Sequence, residues 1–352
     1  MKTTTKKSRP FNYLTVASVL SALSVIFMHN SSFYAYAPNI RWYATVIIQS
    51  ICCCAVPVFF MISGATLIDY RDRYDTKTFL KKRFKKTFIP FLFWSIIGIF
   101  IHLLYLKDFP DERYTPYNLI QGIFSATFIP FFWFFAHLFA LYLAIPVISC
   151  INKSKRRVVF RYCIFLTLIL NYLVPIIAKH NLPTITFNFV LTAESAIYFA
   201  LVGYYIYNYD IKKRTRIAIY ALGIIAILAT ILGTYFFSHR EGTLVAFLSG
   251  STSDISYAIF APAVFLFIKN FFAKHQPSAN SKFAKLTTFF SNYTFASYLT
   301  HYLPIALLSI PLGNSHTQWY YPLIAIPSCI VFAIISKIIF SKIPLLRHVL
   351  PD

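Results

Sequence analysis

The stretch Ala55–Trp94, AVPVFFMISGATLIDYRDRYDTKTFLKKRFKKTFIPFLFW, joins two apolar runs through a short, strongly basic loop. Between Arg71 and Lys86 this loop carries eight lysines and arginines against only two carboxylates, Asp72 and Asp75. Loops of this kind are retained on the cytoplasmic side of a bilayer. The stretch therefore predicts two membrane-spanning helices with a cytoplasmic connection, and the remaining chain can be threaded from it.

The composition excludes a water-soluble globule. Of the 352 residues, 58% are hydrophobic and 12% are charged, and the mean hydropathy is +0.62. The apolar runs are about 20 residues long, the length at which a helix crosses roughly 30 Å of hydrocarbon. We expect an all-α, polytopic membrane bundle forming a single domain over residues 1–352. The net charge of +22 would suggest nucleic acid in a soluble protein, but here the cations lie in short loops between apolar runs. The membrane topology explains this excess of cations, and no nucleic-acid partner is expected.

About ten spans can be placed: Phe11–Phe33, Tyr43–Ile68, Thr87–Leu106, Trp133–Ile151, Val158–Ala178, Phe189–Tyr209, Ile217–Phe237, Ser253–Phe272, Tyr293–Leu312 and Trp319–Phe340. With the loop at Arg71 inside, only five of the 33 lysines and arginines fall outside, namely Arg41, Lys107, Arg113, Lys179 and Arg240. This partition predicts that both termini are cytoplasmic. The apolar segment Leu119–Phe132 contains Gly122 and Pro130, and we expect it to lie at the outer interface or to re-enter.

The six cysteines fall within or at the ends of apolar runs and show no metal-ligand spacing. They indicate buried apolar residues, and neither a disulfide nor a metal site is expected. The basic N-terminus precedes an apolar run that contains His29 and Asn30 and lacks a small-residue cleavage signature. We interpret this run as a retained first helix.

Several ionisable residues fall inside the apolar runs, where their energetic cost points to a function. His29, near the outer end of the first span, can be a general base or can hydrogen-bond a neighbouring helix. Glu194 can orient a histidine, bind a substrate hydroxyl or pair structurally. His301 lies deeper in the ninth span, and its depth suits either chemistry or contact between helices. The position of His102 is adequately explained if its side chain extends to the polar membrane interface, that is, if it snorkels.

No glycine-rich phosphate loop, nucleophile elbow or zinc-helix motif is present. For a phosphorylated ligand, the available groups are the cations of Lys81–Lys86 and Arg156–Arg161, because arginine and lysine hold phosphate through charge-assisted hydrogen bonds. Most of these cations would also be explained if they only determine the membrane topology and contact anionic lipid.

Several stretches together resemble the membrane-bound acyltransferase-3 family of bacterial O-acyltransferases. They are SVIFMHNSS in the first span, FFMISG in the second, FLKKRFKKTFIPF before the third, WFFAHLFALYLAIPVIS in the fourth and SNYTFASYLTHYLP in the ninth. The second and third of these are the most specific, and the order of all five covers most of the chain.

This resemblance implies a roughly ten-helix enzyme of the bacterial cell membrane. Such an enzyme takes an acyl group, usually acetyl from cytosolic acetyl-CoA, to a hydroxyl of a cell-envelope glycan or its lipid-linked precursor, with no tightly bound cofactor. The family's key histidine falls on His29. Many members have an arginine eleven residues earlier and often an aspartate fourteen earlier, where this chain has Ser18 and Thr15. Arg71 and Arg83 are therefore candidate cations for the CoA phosphates, as is Lys82.

Two other classes of function stay open at this level. Ten helices with polar groups at membrane depth also suit a transporter or flippase of a glycan intermediate, although no broken-helix pair or internal repeat is visible. The absence of the family arginine at Ser18 keeps open a non-catalytic assembly subunit of an envelope polysaccharide system.

Overall fold

The computed structural model describes residues 12–31, 38–176, 195–248, 254–312, 320–344 and 346–351. Helices are the only regular secondary structure in these ranges. In chain order they are α1 Tyr13–Asn30, α2 Ile40–Cys52, α3 Ala55–Leu67, α4 Thr76–Arg83, α5 Ile89–Ile101, α6 Pro116–Phe124, α7 Trp133–Ser149, α8 Lys153–Thr167, α9 Ser195–Asn208, α10 Lys213–Glu241, α11 Ile255–Lys274, α12 Lys282–Ser291, α13 Thr294–Thr300, α14 Tyr302–Ser309 and α15 Tyr321–Lys342. π-Helical turns extend α4, α5 and α8 over Phe84–Phe88, His102–Leu106 and Leu168–Leu173.

Eight helical stretches of the described residues are long and apolar enough to cross a membrane. They are Tyr13–Asn30, Ile40–Asp72, Thr76–Leu106, Pro130–Ser149, Lys153–Ile176, Lys213–Glu241, Ile255–Lys274 and Tyr321–Lys342. Shorter helices, α9 and the α13–α14 pair, occupy the positions expected for the sixth and ninth spans. The all-α polytopic bundle is confirmed, while the count of ten and the side of the termini stay predictions.

Proline residues break two of the predicted spans. A proline has no N–H, and its ring clashes with the carbonyl four residues earlier. Pro57 lies four residues after Cys53, where α2 gives way to α3. Pro304 lies four residues after Thr300, the last residue of α13, so the junction between α13 and α14 falls on His301. A proline therefore sets the break in the ninth span at which a buried histidine lies.

The tightest crossing in the described bundle joins α3 and α9. A Cβ added to Gly64 would lie 1.9 Å from the carbonyl oxygen of Ala200, and one added to Gly203 would lie 2.1 Å from that of Met61. Small residues allow helix backbones to meet this closely in membranes, where packing rather than water exclusion drives association. Gly64 is the glycine of the FFMISG stretch, so this motif encodes a helix crossing.

The loop after α3 is held by polar contacts at one end of the bundle. The buried guanidinium of Arg156 pairs with Asp69 and donates to the carbonyl oxygens of Ile151 and Ser149, each at 2.8 Å. Asp75 caps α4 by accepting from the backbone N–H of Thr78, and hydrogen bonds from the Thr78 side chain and backbone hold the pKa of the Asp75 carboxyl below its usual value. We call this end, which carries Arg71–Lys86 and Lys153–Arg161, the basic end.

Helix α6 does not span. Its nine residues rise only about 14 Å, and Tyr117, Ile120 and Phe124 remain exposed. The segment agrees with an interfacial or re-entrant position, and it leads through Phe128 into the turn Pro130–Phe132 that precedes α7.

Candidate active site

The C-terminal turn of α1 is fixed by side chains from α2. The last carbonyls of a helix have no partner within the helix and need an external donor. Gln49 donates its side-chain amide to the carbonyl oxygen of Met28 at 2.6 Å, and Thr45 donates its hydroxyl to that of Ser31 at 2.9 Å. His29 therefore sits on a helix end that a neighbouring helix holds in place.

The half-buried imidazole of His29 lies in an aromatic stack at the end of the bundle opposite the basic end. Its ring centroid is 3.7 Å from that of Phe131 and 5.3 Å from that of His301, with interplanar angles of 29° and 23°. The rings of Phe131 and His301 are themselves 4.9 Å apart. The fold thus brings together His29 and His301, two of the predicted catalytic residues, and we call them the histidine pair.

His301 is fully buried behind His29 and has one defined hydrogen bond. Its Nδ1 lies 2.7 Å from the carbonyl oxygen of Tyr298, so Nδ1 carries the hydrogen in that contact. Its Nε2 has no hydrogen-bond partner among the described residues. Buried polar atoms without partners are rare, and a catalytic role is one of the explanations for them. The pair thus offers an unused buried ring nitrogen beside a histidine that retains access from outside.

Asn30 and Cys329 close the site on its remaining side. Asn30 donates to the carbonyl oxygen of Ile26 at 2.8 Å and approaches the Cys329 sulfur at 3.8 Å, while its Oδ1 has no partner among the described residues. The Cys329 thiol lies 3.5 Å from the carbonyl oxygen of His301. Helix α15, which carries Cys329, therefore contacts both helices of the histidine pair. The unpaired amide oxygen is a second acceptor near the pair.

A cavity of about 240 Å³, the central cavity, enters the bundle from the basic end. Its cations are Arg83 and Lys86. Its remaining polar lining comprises Ser18, Ser63, Thr87 and Thr294, with the phenols of Tyr142 and Tyr298, and its apolar lining includes Phe59, Ile62, Phe134, Leu138 and Phe295. A cationic mouth with a mainly apolar interior suits a ligand that has an anionic head and a thin, weakly polar arm.

Tyr298 links the central cavity to the histidine pair. Its phenol lines the cavity and donates a hydrogen bond to the carbonyl oxygen of Phe131. The ring of Phe131 stacks on His29 and His301, and the carbonyl of Tyr298 accepts from His301. The side chains of Tyr298 and Phe131 therefore lie between the inner part of the cavity and the histidine pair.

The three predicted acyl-CoA cations occupy different surroundings. Arg83 lines the central cavity, its guanidinium lies 5.7 Å from the centroid of the Tyr142 ring, and its Nε has no hydrogen-bond partner among the described residues. Arg71 instead donates to the end of α7, with bonds to the Ser149 hydroxyl at 2.8 Å and the Pro146 carbonyl oxygen at 3.3 Å. The exposed Lys82 lies 3.9 Å over the ring of Tyr74. Only Arg83 of the three lines the cavity.

Ser18 also lines the central cavity, with its hydroxyl 3.3 Å from that of Thr294. The family resemblance described above implies an arginine at this position. Arg83 reaches the same cavity from α4, so the cavity contains a guanidinium despite the substitution.

Glu194, the remaining predicted catalytic residue, lies outside the described residues.

The described residues also contain a histidine network that sequence reasoning missed. His102 is buried, with Nδ1 2.7 Å from Asp108 and Nε2 2.6 Å from the hydroxyl of Tyr302 and 2.8 Å from the carbonyl oxygen of Phe128. The snorkelling expected for His102 is therefore wrong, because three partners satisfy it inside the protein. The sequence did offer a signal for this network, because Asp108, the carboxylate partner of His102, is only six residues further along the chain.

A family model described as an acyltransferase domain matches residues 11–340, so the chain belongs to the acyltransferase-3 family. It is a multi-pass membrane acyltransferase. No curated protein and no solved structure matches the chain.

Proposed function

We propose that the protein transfers an acyl group, most simply acetyl, from cytosolic acyl-CoA to a hydroxyl of a cell-envelope glycan or its lipid-linked precursor. The observation that carries the proposal is the continuity from Arg83 through the central cavity to Tyr298, Phe131 and the histidine pair. Family membership supports acyl transfer, and the cationic mouth of the cavity and the accessible His29 support separate sites for donor and acceptor.

The donor enters from the basic end. Its phosphates pair with Arg83 and Lys86 at the mouth, where charge-assisted hydrogen bonds are strongest for guanidinium groups. A cavity of about 240 Å³ is too small for a whole nucleotide cofactor but accommodates a narrow acyl-pantetheine arm. The nucleotide part of CoA therefore stays outside, the arm fills the cavity, and Tyr298 and Phe131 shift during the reaction so that the thioester reaches His29.

The acceptor approaches from the opposite end, where His29 keeps part of its surface accessible. The His29 imidazole removes the proton of the acceptor hydroxyl as the hydroxyl oxygen attacks the thioester carbonyl carbon. The carbon–sulfur bond breaks, an oxygen ester forms, and the departing CoA thiolate recovers a proton from the imidazolium. His301 stacks behind His29 and holds its orientation, since the Tyr298 carbonyl fixes the ring of His301.

The experiment uses membranes containing the full chain, acetyl-CoA labelled in the acetyl group and unlabelled envelope fractions. We expect label to enter a glycan fraction and to be released by mild alkali, as an oxygen ester requires. Membranes without the protein and membranes with His29→Ala should transfer little. Label that stays on CoA with every fraction, or that enters an alkali-stable amide, would overturn the proposal.

A further inference from the structure

A second and larger cavity lies on the other side of α9, and the proposed acyl transfer does not use it. This lateral cleft has a volume of about 780 Å³ and is formed by α8 with its π-helical turn, α9, α10 and α11. Its interior is apolar, with Leu168, Val202, Ala258 and Ile259 among the lining residues. Leu173 and Leu222 line it and are exposed, so the cleft opens on the lateral surface of the bundle.

Cations mark one end of the lateral cleft. Arg157, Arg161 and Lys212 line it there against a single carboxylate, Asp210. Arg161 and Lys212 make no side-chain hydrogen bond or ion pair with described residues, and the guanidinium of Arg157 lies 5.6 Å over the ring of Tyr209. Arg157 and Arg161 belong to the basic end, which charge distribution predicts to face the cytoplasm, and Lys212 lines the same cleft. They are available to an anion at that depth.

The N-terminus of α10 adds a second attraction for an anion at the same place. This helix has 29 residues, its N-cap is Lys212, and no side chain caps its first turn. The first N–H groups of a helix need partners, and the helix dipole favours negative charge there. Thr215, in that first turn, also lines the cleft. Three cations, an uncapped helix start and a long apolar interior thus meet in one cavity.

We propose that the lateral cleft is a binding site for an anionic phospholipid of the cytoplasmic leaflet. The phosphate lies among Arg157, Arg161, Lys212 and the start of α10, and an acyl chain fills the apolar interior. The charge complementarity selects an anionic lipid over a zwitterionic one, because each basic residue near the membrane surface contributes attraction to negative headgroups. The occupant is distinct from the acceptor, since the cationic end of the cleft lies away from the histidine pair.

The test is native mass spectrometry of the purified, delipidated full chain titrated with phosphatidylglycerol or with phosphatidylcholine of identical acyl chains. We expect phosphatidylglycerol to bind about tenfold or more tightly. The triple variant Arg157→Gln/Arg161→Gln/Lys212→Gln should lose this preference. The control Lys77→Gln/Lys81→Gln/Lys85→Gln, which neutralises three exposed cations of the basic end that do not line the cleft, should retain it.

A second arm tests the acyl chain and separates a lipid from free phosphate. Leu168→Trp fills the cleft while keeping its cations, so it should weaken phosphatidylglycerol binding, whereas the exposed Leu143→Trp should leave it unchanged. Inorganic phosphate at millimolar concentration should not displace the lipid. Equal binding of the two lipids by the wild-type chain, or full displacement by phosphate, would overturn the proposal without bearing on acyl transfer.

Discussion

Tyr298 donates a hydrogen bond from its hydroxyl to the backbone carbonyl oxygen of Phe131. The first residue lines the central cavity, and the ring of the second lies 3.7 Å from that of His29. A cavity that begins at cations and a histidine pair near the opposite end are thereby joined through two neighbouring side chains. In the proposed reaction, donor and acceptor arrive from opposite sides, and this contact lies between their two binding sites.

His29→Ala should lower the rate of acyl transfer by about a hundredfold to ten-thousandfold, the usual cost of removing a general base. Because the helix end is held through the backbone carbonyls of Met28 and Ser31, the variant should accumulate in membranes at wild-type abundance. Labelled-acetyl transfer and acyl-CoA binding would be measured together. The matched control is His275→Ala, an exposed histidine that should transfer normally. Wild-type transfer by His29→Ala, or its failure to accumulate, would contradict the catalytic assignment.

Tyr298→Phe should show whether Tyr298 positions the reacting groups or binds acyl-CoA. The variant keeps the ring but loses the hydrogen bond to Phe131, at a cost of about 1 kcal/mol in stability. Because small misplacements of reacting groups are expensive, kcat should fall by about tenfold or more while KM for acyl-CoA stays near the wild-type value. The control is Tyr114→Phe, whose hydroxyl has no hydrogen-bond partner among the described residues. A raised KM with unchanged kcat would instead make Tyr298 a donor-binding residue.

Arg83→Gln should raise KM for acyl-CoA by about tenfold to a hundredfold, the cost of a lost charge-assisted hydrogen bond. Lys82→Gln is the matched control, since Lys82 lies over Tyr74 outside the central cavity. Arg71→Gln should leave KM nearly unchanged but lower thermal stability, because Arg71 holds the loop to Ser149 and Pro146. Steady-state kinetics and thermal unfolding of each variant would distinguish these roles. Equal KM values for all three variants would remove Arg83 from the donor site.

Ser18→Arg should rescue Arg83→Gln. Both residues line the central cavity, so a guanidinium introduced from α1 replaces the one removed from α4. In the wild-type background the same substitution should help little or weaken donor binding, because it places a third cation beside Arg83 and Lys86. Acyl-CoA affinity of the two single variants and the double variant forms a double-mutant cycle. Strictly additive effects would show that the two positions do not serve the same phosphate group.

Gly64→Ala should destabilise the bundle by about 3 kcal/mol or more, because the new methyl would overlap the Ala200 carbonyl and backbones cannot move aside as side chains do. Gly203→Ala should behave alike, since it meets the Met61 carbonyl from the other helix. Gly242→Asn is the control. It has open space around it and a positive φ that asparagine tolerates. Thermal unfolding in detergent is the measurement, and a wild-type midpoint for Gly64→Ala would contradict the close crossing.

Sequence reasoning predicted the helical bundle because apolar runs of membrane-spanning length, with cations confined to the loops between them, do not fit a soluble fold. It made His29 a candidate catalytic residue through a family motif, which stays a prediction, and left the role of His301 open, because helix depth says nothing about which distant helix is adjacent. The available local signal was Pro304, which breaks the ninth span at that histidine.

Composition alone does not tell which cations of the basic loop line the central cavity, because that depends on the helix face on which each cation lies. Arg83 and Lys86 are three residues apart, so they share a helix face and both line the central cavity. Lys82 precedes Arg83 on a different face and lies over Tyr74. Arg71 belongs to the turn before α4, where its position depends on the end of α7, and only the folded chain relates those two elements.

The crossing at Gly64 and Gly203 also limits how the molecule can change its internal volume. Phe59, Ile62 and Ser63 of α3 face the central cavity, while Tyr198, Val202 and Tyr205 of α9 face the lateral cleft. The partition between these chambers is two helices thick and has main chain against main chain at its centre, so neither chamber can expand into the other. Under the proposed function, a donor with a longer acyl chain must find room by displacing α1, α4, α7 or α13. Selectivity for acyl-chain length should therefore respond to substitutions on those helices, while α3 and α9 keep their positions relative to each other.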